Sequence, residues 1–150
     1  MSEDRHMTYV AIPYSHPDPD VRENRFRIAN RVAAKLMADG LLVFSPISHS
    51  HPIALELERD GDSPKDFEYW KDTCRRNVGM CDSVTVVTAF GWEHSVGLRN
   101  EVQLACETGK EVRFVNVFGC TEATLARHCE VCGYETGHVR GVCTECLMRK

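Results

Sequence analysis

Short apolar runs alternate with longer stretches of helical periodicity along most of the chain. The runs at residues 9–12, 41–44, 83–89 and 112–117 predict buried β-strands. Apolar residues spaced three and four apart predict helices over residues 20–40, 67–81 and 95–108. Because strands alternate with helices, the sequence predicts an α/β fold with a mostly parallel, open sheet and helices on both faces.

Two polar, proline-containing stretches follow the first two strands. Residues 13–19 contain three prolines and predict a stiff loop, and residues 45–52 predict a second loop. Residues 53–66 show no clear period, so we predict no element there. A fifth strand is not readable.

The stretch at residues 91–101 lies between the third strand and the next helix, where open α/β sheets bind ligands. Gly97 allows close approach of the backbone, and Ser95 offers a hydroxyl and free amides at a helix start, which suits an anion. Glu101 falls on the helix face directed at the sheet edge. A carboxylate there is costly unless it is used.

Composition and charge narrow the class of protein. The net charge is −4, so the chain as a whole lacks the excess of positive charge that favours binding to nucleic acid. No apolar run approaches the ~20 residues of a membrane span, and residues 1–6 lack the apolar core of a secretory signal. The sequence therefore predicts a cytoplasmic protein with no membrane partner.

Four of the eight cysteines form two Cys-x-x-Cys pairs near the end of the chain. The pair Cys129 and Cys132 is separated by ten residues from the pair Cys143 and Cys146, a spacing typical of a tetrahedral, structural Zn²⁺ site. Because this segment is too short to form a hydrophobic core of its own, the bound metal would supply its folding energy. The alternative is a redox dithiol or a disordered tail.

These patterns predict three regions in the chain. Residues 1–118 form the α/β domain, residues 119–127 a linker, and residues 128–150 a small zinc ribbon. Ribbons of this kind often contact nucleic acid or protein, so either is a candidate partner. We predict no organic cofactor.

Three motifs together resemble a known group of proteins. They are Tyr9-Val-Ala-Ile-Pro-Tyr-Ser, Ser45-Pro-Ile-Ser-His-Ser-His-Pro, and Gly91-Trp followed by Ser95-x-Gly97-x-x-x-Glu101. Over about residues 8–116 the chain resembles the nucleoside 2-deoxyribosyltransferase superfamily, in particular a small branch of it. The resemblance implies a flavodoxin-like (Rossmann-like) fold and a homo-oligomer, dimer or higher, in which a neighbour completes each site.

The resemblance also implies roles for individual residues. Glu101 matches the nucleophile of that superfamily, and Tyr9 matches the strand tyrosine that orients this carboxylate. Ser95 and Gly97 match the loop that receives the sugar 5′ end or a 5′-phosphate.

One position departs from the superfamily pattern. Where the superfamily has an Asp near the base, this chain has Cys74, and the nearest carboxylate is Asp72, two residues earlier.

Cleavage through a glycosyl-enzyme needs an ionised nucleophile, and we expect the helix dipole and the Tyr9 hydroxyl to favour ionised Glu101. The leaving base needs a proton, for which the candidates are Asp72, His49 and His51, in that order.

Further residues are candidates for substrate binding, and each could instead be structural or solvated. Trp92 either stacks on a nucleobase or caps the sheet edge, and we assign it to stacking. The remaining candidates are Tyr14 in the first motif, His49 and His51 in the second, and Arg22, which could hold a phosphate.

The sequence thus predicts an enzyme, an N-glycosidase or deoxyribosyltransferase acting on a nucleoside or nucleoside 5′-monophosphate. Water or an acceptor nucleoside would resolve the intermediate, and the residues do not decide between them. The alternatives are a non-catalytic nucleotide sensor, an NAD-cleaving glycosidase, and a nucleic-acid-associated protein that binds through the ribbon.

Overall fold

A computed structural model of the protein describes residues 5–62 and 64–121. Its elements are, in chain order, β1 (Met7–Ala11), α1 (Pro19–Ala38), β2 (Leu42–Phe44), α2 (Pro46–Arg59), α3 (Phe67–Met80), β3 (Ser83–Val87), a 3-10 turn (Trp92–His94), α4 (Val96–Glu107) and β4 (Glu111–Val115). The four strands pair in parallel in the order β2-β1-β3-β4, which confirms the predicted α/β fold with a parallel sheet.

The first strand, β1, stands inside the sheet rather than at its edge. Tyr9 pairs with Phe44 of β2 on one side and with Val84 of β3 on the other. The chain adds β2 on one side of β1 and then β3 and β4 on the opposite side. The strand order therefore reverses between β1 and β3.

Both faces of the sheet are covered by helices, as predicted. On one face, Val10 and Val87 pack against Val32 of α1. On the other face, Tyr9 and Val102 of α4 belong to a second buried cluster, to which α3 also contributes. Successive strand residues point to opposite faces, so the neighbours Tyr9 and Val10 enter different clusters.

Side-chain caps define where three of the helices begin. Asp18, Asp66 and Ser95 each accept a hydrogen bond from a backbone amide in the first turn of α1, α3 and α4, respectively. Pro19 opens α1, where its missing N–H leaves no hydrogen bond unmade.

The helix α2 corrects the sequence prediction of a loop followed by an unpatterned segment. Pro46 stands in its first turn, and Pro52 stands in its interior, where it removes one backbone hydrogen bond. Tertiary contacts outweigh this loss, because His51 and Ala54 are buried on the side of α2 that packs against the rest of the domain.

The described residues end at Thr121, which forms an antiparallel bridge with Val115. The predicted zinc ribbon, with Cys129, Cys132, Cys143 and Cys146, and most of the predicted linker therefore lie outside the described residues. Within the described part, none of the helices combines the length and the apolar character that crossing a bilayer requires.

Candidate active site

A cavity of about 880 Å³ opens at the carboxyl ends of β1, β2 and β3. Its walls come from the loops after β1 and β3, the start of α2 and one side of α3, and they are mostly apolar. The cavity lies at the point where the strand order reverses, the usual ligand site of open α/β sheets. Its size and character are typical of sites for small organic molecules.

Glu101 on α4 contributes its carboxylate to the wall of this cavity. The residue is only 8% exposed, and the Tyr9 hydroxyl donates a hydrogen bond to its Oε1 at 2.6 Å. The Cys74 thiol on α3 lies near the carboxylate and lowers the pKa of Glu101. Because Tyr9 is fully buried on β1, the sheet and the helix together fix the position of the carboxyl group. The structure thus joins the predicted nucleophile and its orienting hydroxyl.

Burial is the largest influence on the protonation of Glu101. It raises the pKa of the carboxyl from 4.5 to about 7, against the smaller opposing effects of the Tyr9 hydrogen bond and the Cys74 thiol. The helix dipole gives little help, because Glu101 stands beyond the first turn of α4. The ionised form that the sequence predicts is therefore only partly populated near pH 7.

Cys74 and Asp72 have different surroundings, although they are two residues apart on α3. Cys74 lines the cavity, and burial raises the pKa of its thiol to about 12, which makes it a weak acid. Asp72 does not line the cavity; its side chain is 80% exposed and lies 4.0 Å from Arg75. Two residues turn a helix by about half a turn, so Asp72 faces solvent, and its predicted catalytic role is wrong.

Ser95 and Gly97 both line the cavity at the start of α4. The Ser95 hydroxyl accepts a hydrogen bond from the Leu98 amide at 3.3 Å, so it acts as the helix cap. A Cβ on Gly97 would lie 3.2 Å from Cδ2 of Phe67 on α3. The absence of a side chain at Gly97 therefore admits the Phe67 ring, which also lines the cavity.

Trp92 does not reach the cavity, so the stacking role that we assigned to it is wrong. The residue is 2% exposed and belongs to the core cluster on the α3 and α4 side of the sheet. Its ring meets Phe114 of β4 edge to face, with centroids 5.9 Å apart. Its apolar surface stabilises the core, whereas Phe67, Trp70 and Phe90 line the cavity.

A second, partly buried polar cluster lies on the α1 and α2 side of the cavity. Tyr14 lines the cavity, and its hydroxyl lies 2.5 Å from Nδ1 of His51. His51 on α2 is 3% exposed, stacks on Phe26 with centroids 4.4 Å apart, and has its Nε2 2.8 Å from Oε2 of Glu23. Tyr14 thus lines the cavity, whereas His51, also a predicted substrate-binding residue, reaches it only through Tyr14.

Arg22 does not line the cavity, contrary to the prediction that it holds a phosphate there. Its Nη1 lies 3.0 Å from Oε1 of Glu58 on α2, and the residue is buried. This ion pair joins α1 to α2.

Arg25, one helical turn further along α1, does line the cavity. Its guanidinium donates to the carbonyl oxygens of Tyr14 at 3.3 Å, Ser15 at 3.1 Å and Phe90 at 3.3 Å. Arg25 therefore ties the loop after β1 to the loop after β3.

Exposed imidazoles surround the mouth of the cavity. His49 lines it, as predicted, together with His16 and His94. Phe90 is also at the mouth and is 93% exposed. Among residues 5–62 and 64–121, no group of three or more His, Cys, Asp or Glu residues is arranged to hold a metal ion.

The site includes residues that the sequence did not single out for it. Glu23 lies 28 positions from His51, so no local spacing announces their contact. Phe67 begins the apolar face of α3, and its contact with Gly97 depends on how two helices meet. Only the fold could reveal these pairs.

Fold and site together define an open parallel α/β protein with a buried carboxylate in the cavity at its switch point. The chain belongs to the family described as Domain of unknown function (DUF1937), whose model matches residues 6–117. This range covers the entire sheet and the cavity. A comparison with curated proteins finds no match.

Proposed function

We propose that this protein cleaves the N-glycosidic bond of a nucleoside or nucleoside 5′-monophosphate, with Glu101 as the nucleophile. The observation that carries the proposal is the Glu101 carboxyl, buried in the cavity wall and bonded to the Tyr9 hydroxyl at 2.6 Å. Burying a carboxyl so that its pKa rises to about 7 opposes folding whenever the group is charged. Such a costly group at a ligand site is typical of a catalytic residue.

The strand order supports the fold that the resemblance implies. The order β2-β1-β3-β4 agrees with the first four strands of the flavodoxin-like arrangement. Three of the motif residues line the cavity, namely Ser95, Gly97 and Glu101. The fourth, Tyr9, is buried beside them and reaches Glu101 through its hydroxyl. The resemblance to the nucleoside 2-deoxyribosyltransferase superfamily supports the same reaction.

The cavity offers separate surroundings for the parts of a nucleotide. Aromatic side chains, Phe67, Trp70 and Phe90, line its walls and suit the faces of a base. Ser95 stands at the amino end of α4, where a 5′-hydroxyl or 5′-phosphate would meet a helix terminus. The Glu101 carboxylate would attack C1′ to form a glycosyl-enzyme, which water or an acceptor base then resolves.

A substrate panel tests the proposal. The protein is incubated with deoxynucleosides, their 5′-monophosphates, the corresponding ribonucleosides and NAD, and free base is separated by chromatography. We expect base release by the wild type and a loss of at least about 1,000-fold in Glu101→Gln. Glu107→Gln, an exposed change on the same helix, should keep full activity. Release that is unchanged in Glu101→Gln would remove the mechanism.

A nucleotide sensor without turnover is the second candidate. It is favoured by the Cys74 thiol, a weak acid where the superfamily has an Asp, and by Asp72 facing solvent. Calorimetry that detects nucleotide binding, combined with no base release from any member of the panel, would select this function.

The Zn²⁺ site at Cys129, Cys132, Cys143 and Cys146 remains a proposal that rests on their spacing. Metal analysis of freshly purified, reduced protein should give one zinc per chain. A preparation without zinc would contradict the ribbon.

A further inference from the structure

Hydrogen bonding between Tyr14, His51 and Glu23 has a defined direction. The hydrogen bonds from His51 and then Arg27 lower the pKa of Glu23, so its carboxylate is charged and accepts from Nε2–H of His51. Neutral His51 must then accept at Nδ1 from the Tyr14 hydroxyl, whereas protonated His51 donates from Nδ1 to the Tyr14 oxygen. One proton on His51 therefore decides whether Tyr14 offers the cavity a lone pair or a proton.

The Tyr14 hydroxyl is held in place by a buried partner, although Tyr14 itself lies in a loop. His51 is almost completely buried, both of its ring nitrogens have partners, and its ring stacks on Phe26. Burial raises the pKa of the Tyr14 hydroxyl, so it keeps its proton at neutral pH. The hydroxyl therefore has a proton to pass on, and Nδ1 of His51 lies close enough to replace it.

We propose that Tyr14, His51 and Glu23 form a proton relay that supplies the proton to the departing base, with Tyr14 as the group that touches the base. This inference rests on the function proposed above. It places the acid on the α1 and α2 side of the cavity and the nucleophile Glu101 on the α4 side. A displacement at C1′ favours this division, because the carboxylate attacks one face of the sugar while the base leaves from the other.

In the first step, Glu101 displaces the base from C1′. A carboxylate oxygen of Glu101 forms a bond to C1′ as the C1′–N bond breaks, and the electron pair of that bond stays on the base nitrogen. The base takes the hydroxyl proton of Tyr14, and the Tyr14 oxygen takes the Nδ1 proton of His51. His51 changes from the imidazolium to the neutral ring and keeps its Nε2–H bond to Glu23.

The second step returns the relay to its starting state. Water enters on the face that the base has left and attacks C1′, while the bond from C1′ to Glu101 breaks. The Tyr14 oxygen accepts a proton from the water as its own proton moves to Nδ1 of His51. One relay thus serves as acid and then as base, as a retaining mechanism requires.

The test compares two kinds of leaving group. A nucleoside needs a proton on its base, whereas 4-nitrophenyl 2-deoxyriboside, as the 5′-alcohol or 5′-phosphate, releases a stable anion without one. We expect Tyr14→Phe to lower base release by roughly 100-fold or more. The first-turnover burst of nitrophenolate should be unchanged, while the steady-state rate after the burst falls, because the second step lacks its base. Tyr69→Phe, at an exposed position on α3, is the matched control and should change neither rate.

A second variant keeps the relay testable if Tyr14→Phe folds poorly. Glu23→Gln removes the charge that holds His51, and we expect about a 10-fold loss of base release with an unchanged nitrophenolate burst. Glu56→Gln, an exposed change on α2, is its control.

Three outcomes would overturn the relay, and they differ in what else they remove. Base release that is unchanged in Tyr14→Phe, or a burst that falls as much as base release, would remove the relay while leaving Glu101 as nucleophile. A wild type that releases neither base nor nitrophenolate would remove the proposed function as well.

Discussion

Two polar clusters contribute to the mostly apolar walls of the cavity, and each contains a glutamate and a tyrosine. On one wall, Glu101 accepts from Tyr9, and burial raises the pKa of its carboxyl to about 7. On the other wall, Glu23 accepts from His51, which bonds Tyr14, and the hydrogen bond from His51 lowers the pKa of the Glu23 carboxyl. The pKa of a glutamate is thus raised on one wall and lowered on the other.

The difference between the walls lies in access to water. Glu101 has lost its hydration, and the Tyr9 hydrogen bond and the neighbouring Cys74 thiol do not replace it fully, whereas Glu23 keeps contact with solvent and gains partners. A carboxyl near pKa 7 can change charge during a reaction, and a carboxylate held charged can stabilise a neighbouring cation. Each wall therefore suits a different task, and substitutions in both walls test that division.

Removing the charge of Glu101 should stabilise the protein at alkaline pH. The folded-state pKa lies above the usual 4.5, so the stability due to the neutral carboxyl is complete below about pH 4.5 and lost as the pH rises through about 7. Glu101→Gln should thus raise the free energy of unfolding by up to about 3 kcal/mol at pH 8 and hardly change it at pH 4. Urea unfolding at both pH values measures this.

The matched change on the other wall should have the opposite sign. Glu23→Gln loses a charge that the folded state favours, so it should lower stability at pH 8 and have less effect as the pH falls through the lowered folded-state pKa. If both variants shifted stability in the same direction at pH 8, the contrast between the two walls would be lost.

Tyr9→Phe should weaken catalysis and move its pH dependence. The change removes the hydrogen bond that lowers the pKa of Glu101, so the pKa rises further above about 7. Base release that depends on the ionised carboxylate should fall roughly 10- to 100-fold at pH 7, and its acidic limb should move to higher pH. The rate of base release is measured from pH 5 to 9 for both proteins. If the acidic limb of the pH–rate profile lies at the same pH in both, Tyr9 does not act on Glu101.

Cys74→Ala should act in the same direction and more weakly, because a thiol is a poor hydrogen-bond donor. We expect a loss of about 2- to 5-fold in base release at pH 6 and less at pH 8, where more of the carboxyl is ionised. Cys106→Ala, at an exposed position on α4, is the control. Equal losses in both variants would mean that the thiol at position 74 has no special contact.

Gly97→Ala should change substrate affinity slightly. The new Cβ would stand 3.2 Å from the Phe67 ring, which must move by a few tenths of an ångström within the cavity wall. We expect KM to rise about 2- to 3-fold with little change in kcat. Gly79→Ala, which has open space around it on α3, should leave both constants unchanged. A larger fall in kcat than rise in KM would contradict this assignment.

The sheet could be predicted from sequence because its signal is local. Each strand is a short apolar run, and the order of strands and helices alone indicates a parallel arrangement. The motif around Ser95, Gly97 and Glu101 also carries its own spacing, so the meeting of Glu101 with Tyr9 could be anticipated from the resemblance.

The failures lie where distant parts of the chain decide the outcome. The segment from Pro46 reads as a loop because it holds two prolines and four Ser or His residues, yet burial of His51 and Ala54 maintains a helix. Trp92 stands in the right loop for a ligand contact, but Phe114 on β4 provides an apolar partner in the core. Neither contact has a periodic signal in the sequence.

The guanidinium of Arg25 holds both rims of the cavity through carbonyls of Tyr14, Ser15 and Phe90. These three hydrogen bonds hold the loop after β1 at a set distance from the loop after β3. A second boundary of the cavity is α3, which meets the start of α4 through the ring of Phe67 against Gly97. The entrance is therefore held on two sides by contacts between distant parts of the chain, one of them polar and the other apolar.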